Sequence, residues 1–174
     1  MLDQSRTDQL NEALELLHFA FRKVMERPDA ILAQHGLTRV HHRILYFVAR
    51  HPACSVGELL AILGVSKQAL HAPLRRLIRD GYIDATAPAT NRRLKLLRLS
   101  ERGTALEDLL SSDQRARFAA VFDACGPEAE RSWRSIMRAL AQDDAGSIDA
   151  TPDLRSGKRD RLRRIAAAAA TDRG

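Results

Sequence analysis

The N-terminal part of the chain has apolar residues at helical spacing. Five of them recur every three or four positions, as on one face of an amphipathic helix: Leu10, Leu14, Leu17, Phe21 and Val24. We therefore predict a helix from about residue 8 to residue 27. Pro28 suits the first turn of a new helix and Gly36 suits the end of one, so a second, short helix is predicted over residues 29 to 35.

The next helix is predicted between Thr38, a suitable N-cap, and the pair His51-Pro52, which would end it. Four apolar residues of this segment are expected to face the core: Val40, Ile44, Leu45 and Val48. Cys54 is expected in the loop that follows.

Residues 55 to 64 carry a complete set of helix start and stop signals. Ser55 and Glu58 have the spacing of a capping box, in which each side chain accepts from the other's backbone amide. Gly64 can adopt the positive φ of a tight turn. The short helix between these signals has its apolar face on four residues: Leu59, Leu60, Ile62 and Leu63.

A second helix begins after Ser66, a good N-cap, and closes at Asp80-Gly81. Its apolar stripe is formed by Leu70, Leu74, Leu77 and Ile78. The opposite face carries mostly hydrogen-bond donors, with His71 on its flank: Gln68, Ala72, Arg75, Arg76 and Arg79. Two helices joined in this way form a helix-turn-helix, and the polar face of the second fits a DNA major groove.

Two strands are predicted directly after the helix-turn-helix, at residues 82 to 85 and 94 to 99. The loop between them, residues 86 to 93, is rich in turn-forming residues and ends in Arg92 and Arg93. A helix-turn-helix followed by such a hairpin is a winged helix.

Two helices are predicted after the wing. The first is capped by Ser100, runs to about Asp123, and carries six apolar residues: Leu106, Leu109, Leu110, Phe118, Val121 and Phe122. Gly126-Pro127 separates it from a last helix over about residues 128 to 142, in which four apolar residues are expected to face inward: Trp133, Ile136, Met137 and Leu140. Residues 143 to 174 change to a small, charged composition that predicts a flexible and partly basic tail.

Four segments of this region resemble the MarR family of bacterial transcription regulators. They are Leu-Gly-Val-Ser-Lys at 63–67, Leu-x-x-Asp-Gly-Tyr-Ile at 77–83, Asn-Arg-Arg at 91–93 and Leu-Ser-Glu-Arg-Gly at 99–103. In order and at family spacing, they extend the resemblance over roughly residues 10 to 142. It implies a mainly α fold with a small β-wing (α+β), a winged helix at about 38–102, and a homodimer formed by helices at about 8–35 and 100–142.

Charge and composition agree with this expectation. The net charge of the 174 residues is +6, and residues 39–102 alone carry twelve Arg or Lys against four Asp or Glu. The positive excess therefore lies on the predicted winged helix, where a polyanion would dock. Because no signal peptide, membrane span, metal-finger cysteine spacing or catalytic motif is found, we expect a cytoplasmic protein that is not an enzyme, needs no cofactor or metal, and joins the nucleoid when bound to DNA.

DNA contacts are predicted on the second helix and the wing. Lys67, Arg76, Arg79, Lys95 and Arg98 are candidates for phosphate contacts, which give affinity without sequence information. Gln68 can read adenine, and Arg75 or His71 can read guanine. The complete predicted set is Ser66, Lys67, Gln68, His71, Ala72, Arg75, Arg76, Arg79, Asn91, Arg92, Arg93 and Lys95.

The chain departs from the family pattern at three positions of the second helix and the wing. The family usually has Asp at the position of Asn91, so the ion pair that steadies the wing arginine becomes a hydrogen bond. Arg93 matches the arginine that the family inserts into the minor groove, where A·T-rich DNA is most electronegative. Position 72 is often basic in the family but is Ala72 here, and Pro73 lies inside the second helix, where it removes one amide and can bend the helix.

The resemblance also implies a binding site for a small aromatic acid between the dimer helices and the winged helix. His18, His35, His41, His42 and Arg43 fall near that region, either as ligands of an effector or metal, or simply as surface and capping residues. Neither Cys54 nor Cys125 has the surroundings of a sensing thiol, and both are expected to be inert.

The function expected from these observations is a ligand-responsive repressor that binds a pseudo-palindromic operator as a homodimer. Two alternatives stay open. One is a protein-interaction module that contacts RNA polymerase or another regulator through the basic tail. The other is an architectural DNA binder with little sequence preference.

Overall fold

The computed structural model describes residues 3–88, 91 and 94–141. Its helices are α1 (Gln4–Gln34), α2 (Arg39–Arg50), α3 (Val56–Leu63), α4 (Lys67–Arg79), α5 (Glu101–Cys125) and α6 (Pro127–Leu140). Its strands are β1 (Cys54–Ser55), β2 (Ile83–Thr86) and β3 (Leu96–Leu99), which form an antiparallel sheet in the order β1-β3-β2. This mainly helical fold with a small sheet confirms the predicted fold class. The chain has two compact units, the first ending at Val121 and the second beginning at Phe122.

The predicted caps of the helix-turn-helix are all present. The Ser55 amide donates to the Glu58 carboxylate over 2.7 Å, and the Glu58 amide donates to the Ser55 hydroxyl over 3.2 Å. Gly64 has a φ of 60°, and the Ser66 hydroxyl accepts from the Ala69 amide. These local bonds fix where α3 and α4 begin, because they satisfy amides that have no partner inside the helix.

The core of the first unit lies where α2, α3, α4 and the sheet meet. Its fully buried residues include Ile44, Leu45, Leu59, Leu77 and Leu97. Two apolar residues predicted to face this core are instead exposed, Val40 by 47% and Ile62 by 36%. The inward face of α2 consists of residues 41, 42, 44, 45 and 48, so that it is His41, not its neighbour Val40, that lies inside.

The first helix differs from the prediction because α1 continues through Pro28 to Gln34 without a break. Pro28 removes one helical hydrogen bond, but its ring is buried on the same face as Met25 and Leu32. Packing of that face supports the helix across the missing bond. The expected second helix over residues 29 to 35 is therefore the end of α1.

Strand β1 was not predicted from the sequence. Cys54 and Ser55 pair with Leu97 and Leu96, and the Ala53 amide donates to the Leu97 carbonyl over 2.8 Å. Cys54 therefore belongs to the sheet and is buried, and does not lie in a loop. The other two strands differ from the prediction: β2 has the predicted length but is shifted by one residue, to Ile83–Thr86, and β3 is shorter, because it begins at Leu96.

The junction of the sheet with α5 is tightly packed. The Ser100 hydroxyl accepts from the Gly103 amide, as predicted for a cap, and donates to the Gly81 carbonyl over 2.6 Å. A Cβ atom on Gly103 would lie 1.9 Å from the Tyr82 carbonyl oxygen. Only glycine fits there, because the start of α5 rests directly on the backbone that leads into β2.

Apolar side chains remain exposed on several helices of the single chain. In α6, which the structure describes completely, no residue is buried, so the apolar face predicted for this helix is exposed in the single chain. The exposed set is Leu10, Leu14, Leu16, Leu17, Phe19 and Phe21 on α1, Leu109 and Val121 on α5, and Trp133, Ile136 and Leu140 on α6. None of the helices in the described ranges is long and apolar enough to cross a membrane.

Candidate nucleic-acid interface

Helix α4 separates an apolar face from a polar one. Leu70, Leu74 and Leu77 are buried in the core, and Ile78 is half-buried beside them. The predicted contact residues on the other side are exposed: Ser66, Lys67, Gln68, His71, Ala72, Arg75 and Arg79. Five residues of this polar side line one surface depression: His71, Ala72, Arg75, Arg76 and Arg79. The helix continues through Pro73, which is half-buried, so this surface is presented by one uninterrupted helix.

The arginines of α4 are not equivalent. Arg75 is exposed and has no ion pair within the described part of the chain. Arg76 and Arg79 both donate from Nε to the carboxylate of Asp80, over 3.3 Å and 2.9 Å. The hydrogen bond from Arg79, followed by that from Arg76, holds the pKa of Asp80 below its usual range.

Arg76 also lies close to the loop between α1 and α2. One of its terminal nitrogens lies 3.0 Å from the position that a Cβ atom on Gly36 would occupy. The side chain of Arg76 is 38% exposed, compared with 72% for Arg79. Both residues were predicted alike as phosphate contacts, because their positions in the sequence do not reveal this difference.

A second arginine cluster that sequence reasoning missed supports the end of α4. Arg102, in the first turn of α5, donates to the Asp80 carbonyl over 2.9 Å and to the Tyr82 hydroxyl over 3.0 Å. Its guanidinium lies over the Tyr82 ring, 4.3 Å from the centroid, and His35 Nδ1 lies 3.1 Å from the same hydroxyl. Arg102 stands in the Leu-Ser-Glu-Arg-Gly segment, which was the only signal in the sequence.

The wing is described in part. Lys95 and Arg98 are exposed, and Arg98 lies opposite Asp84 in the register of β2 and β3. The Asn91 amide donates to the Pro88 carbonyl over 3.0 Å, and the Asn91 carbonyl accepts from the Leu94 amide over 3.1 Å. Arg92 and Arg93 lie outside the described residues, so their predicted contacts stay predictions.

The candidate effector residues occupy different environments. His18 on α1 and Arg43 on α2 are exposed, whereas His41 and His42 are buried. His41 Nδ1 accepts from the Thr38 amide and lies 2.9 Å from the Thr38 hydroxyl, which makes it a capping histidine.

The surroundings of the two buried histidines lower the pKa of each ring. Burial lowers the pKa of His41, and the charge of Arg76 lowers it further. Burial also lowers the pKa of His42, although the carboxylates of Glu107 and Asp29 oppose the shift. Nε2 of each ring is buried without a hydrogen-bond partner.

The next candidates are metal-binding groups and reactive thiols within the described ranges. They contain no group of three His, Cys, Asp or Glu side chains that could hold a metal ion. The two cysteines differ, since Cys54 is buried in the sheet and Cys125 is exposed at the end of α5.

The sequence is similar to those of known transcription regulators. The family model of the MarR family matches residues 35–94. The HTH-type transcriptional regulator PetP of Rhodobacter capsulatus is 39% identical over 133 residues, which cover 76% of this chain and 80% of that protein.

Two solved structures share the fold. A MarR family transcription regulator superposes with a TM-score of 0.66 at 21% identity, covering 79% of this chain and 91% of the other. NadR in complex with 4-hydroxyphenylacetate superposes with a TM-score of 0.60 at 22% identity, covering 74% of this chain and 91% of the other.

Proposed function

The chain belongs to the MarR family of DNA-binding transcriptional regulators, which are not enzymes, and on this basis we propose that it recognises a specific operator as a homodimer. The observation that carries the proposal is the polar face of α4. Gln68, His71 and Arg75 are exposed there, while the opposite face of the same helix is anchored in the core. A rigid helix with exposed donors is the element that helix-turn-helix proteins place in the major groove.

The proposed DNA contacts of this surface are of two kinds, to phosphates and to base edges. Lys67 and, on the wing, Lys95 and Arg98 are exposed cations that suit phosphate contacts. Gln68 and Arg75 have the donor and acceptor patterns that recognise adenine and guanine edges. The wing arginines Arg92 and Arg93 are proposed to enter the adjacent minor groove, with Asn91 supporting Arg93.

The second subunit is proposed to be another copy of this chain. The apolar residues exposed on α1 and α6 would be in contact with water in a monomer, which is unfavourable for side chains as large as Phe21 and Trp133. Two copies related by a twofold axis would place two α4 helices on half-sites about 34–36 Å apart. The operator is therefore proposed to be pseudo-palindromic, and the regulator, of which residues 1–142 form the MarR-like domain and 143–174 a tail, to act in the cytoplasm.

A small aromatic acid is proposed as the signal that releases the operator. NadR, which shares the fold, has been solved with 4-hydroxyphenylacetate. On this chain His18, His42 and Arg43 are candidates for contacts to such a ligand, whereas His41 caps the start of α2. Titration of the protein–operator complex with 4-hydroxyphenylacetate, followed by fluorescence anisotropy, should release the DNA, and an unchanged signal at saturating acid would exclude this class of effector.

Selection of bound fragments from the source genome tests the proposed function. The selected fragments should share two inverted half-sites and should bind about 10³-fold or more tightly than random duplex at 0.15 M salt. Equal binding of selected and random fragments would favour an architectural DNA binder. Co-purification of RNA polymerase without DNA binding would favour the interaction module.

A further inference from the structure

Three arginines converge on one residue at the C-terminal end of α4. Arg76 and Arg79 donate to the Asp80 carboxylate, and Arg102 donates to the Asp80 carbonyl. The three bonds come from two different helices, α4 and α5. Asp80 therefore links the C-terminal end of α4 to the start of α5.

The same carboxylate borders the surface proposed to face DNA. Arg76 and Arg79 line the depression on α4 together with His71 and Arg75. All four charged residues of α4 are basic, and Asp80 directly follows the last of them. One negative charge thus lies at the end of a strongly positive helix.

A carboxylate in this position competes with DNA phosphate for the same donors. Guanidinium groups bind carboxylate and phosphate through the same N–H geometry. An arginine that donates to Asp80 has fewer donors left for phosphate, and its charge is partly neutralised. Affinity for random DNA depends almost entirely on such cations, because each phosphate contact releases counterions.

We propose that Asp80 is a specificity-determining residue that holds Arg76 and Arg79 away from phosphates and so weakens binding to random DNA more than binding to the operator. On the operator, base contacts from the N-terminal half of α4 fix the helix in one register, and affinity depends less on these two arginines. On random DNA no base contact replaces them. The inference rests on the proposed operator-binding function.

Asp80→Asn is the variant that tests the inference, with Glu101→Gln as its matched control. Each change removes one negative charge and keeps the size of the side chain. Glu101 is exposed at the start of α5 and forms no ion pair in the described part of the chain, so its change releases no arginine. Asp80→Glu restores the charge and should return the affinities close to those of the wild type.

Binding is measured by anisotropy on a genome-selected operator and on random duplex, from 0.05 to 0.3 M salt. Asp80→Asn should bind random DNA roughly threefold to tenfold more tightly than Glu101→Gln, which corresponds to one charge–charge interaction at partial screening. Its plot of log affinity against log salt should be steeper by about one unit, because a further phosphate is neutralised. The gain on the operator should be smaller, so that the ratio of the two affinities falls.

A double-mutant cycle checks that the effect passes through the arginines. In an Arg79→Gln background, Asp80→Asn should lose about half of its gain on random DNA, because one of the two released cations is absent. Circular dichroism of each variant shows whether α4 is intact; a melted Asp80→Asn variant is replaced in the comparison by Asp80→Ser.

The outcomes separate this inference from the proposed function. A wild-type protein that prefers no genomic fragment would overturn the proposed function, and Asp80 would then have no specificity to determine. If the wild type prefers its operator but Asp80→Asn matches Glu101→Gln, gains equally on both DNAs, or binds random DNA less tightly, the inference alone is wrong.

Discussion

The guanidinium of Arg50 donates to the buried carboxylate of Glu107 over 2.8 Å, which joins α2 to α5. The Ser111 hydroxyl donates to the same oxygen over 2.5 Å, and the Arg50 guanidinium lies 3.4 Å from the centroid of the Tyr46 ring. The Glu107 side chain is only 6% exposed, whereas that of Arg50 is 35% exposed. The pair is therefore buried at its acidic end and reaches water at its basic end.

Glu107→Ala should destabilise the protein by about 2–3 kcal/mol, because it leaves the buried Ser111 hydroxyl without an acceptor and removes the ion pair with Arg50, which keeps only the Tyr46 carbonyl as an acceptor. Urea unfolding followed by circular dichroism measures the free energy of unfolding. Asp108→Ala is the control, since Asp108 pairs with Arg115 on the exposed side of the same helix, where ion pairs contribute about 0–1 kcal/mol. Equal losses in the free energy of unfolding for the two variants would show that the Glu107 contacts contribute no more than an exposed ion pair.

The buried histidines predict a dependence of stability on pH. Burial lowers the pKa of both His41 and His42 in the folded chain, so the unfolded chain binds more protons below its histidine pKa of about 6.5. The stabilisation from keeping these rings neutral is therefore complete above about pH 6.5 and is lost as the pH falls toward the folded values.

The free energy of unfolding should decrease from pH 7.5 to pH 5.5, by at most about 1.4 kcal/mol per pH unit for each histidine. His42→Gln should flatten this dependence, whereas His71→Gln should not, because His71 is exposed on α4. Denaturation at five pH values provides the measurement. A profile that is flat for the wild type over this range would contradict the assignment of neutral buried rings.

Local signals in the sequence were sufficient to predict the helix-turn-helix. The capping box of Ser55 and Glu58, the turn at Gly64 and the cap at Ser66 each involve residues within three positions of one another. Their geometry depends on little else, so the boundaries of α3 and α4 follow directly from the residue types.

Contacts between distant residues were not predictable in the same way. Cys54 is in a strand only because Leu97, far along the chain, offers it a pairing edge. Pro28 stays inside α1 because its ring is buried, and burial cannot be read from a proline by itself. The hydrogen bond from Arg102 to the Asp80 carbonyl depends on how α5 packs on the sheet, which the spacing of apolar residues does not specify.

Disruption of the α6 surface should dissociate the proposed dimer. Ile136 is 56% exposed in the single chain, and Ile136→Glu would place a charge in the interface. Sedimentation velocity should show a dimer for the wild type and a monomer for the variant. Ser135→Glu, which adds the same charge at an exposed polar position of α6, should remain a dimer. A wild-type monomer, or a dimer that tolerates Ile136→Glu, would exclude α6 as a dimer surface.

The wing arginine should respond to the DNA that flanks the half-sites. Arg93→Ala should weaken binding most on operators with A·T-rich flanks, since a narrow minor groove has the more negative potential. Lys95→Ala is the matched control, because an exposed lysine that contacts only phosphate should lose affinity equally on both kinds of flank. Binding titrations of both variants on operators that differ only in their flanks provide the measurement. If Arg93→Ala lost the same affinity on both kinds of flank, the wing would bind phosphates without reading the shape of the minor groove.

Base reading by α4 can be tested with two adjacent residues at the start of the helix. Lys67 and Gln68 are both exposed, and Ser66 caps the helix that carries them. Binding of Lys67→Ala and Gln68→Ala is measured on the selected operator and on random duplex over a range of salt. Gln68→Ala should lose about 1–3 kcal/mol on the operator only, with an unchanged salt slope, whereas Lys67→Ala should weaken both DNAs and lower the slope by about one unit. Parallel losses on operator and random DNA for Gln68→Ala would contradict base reading at this position of α4.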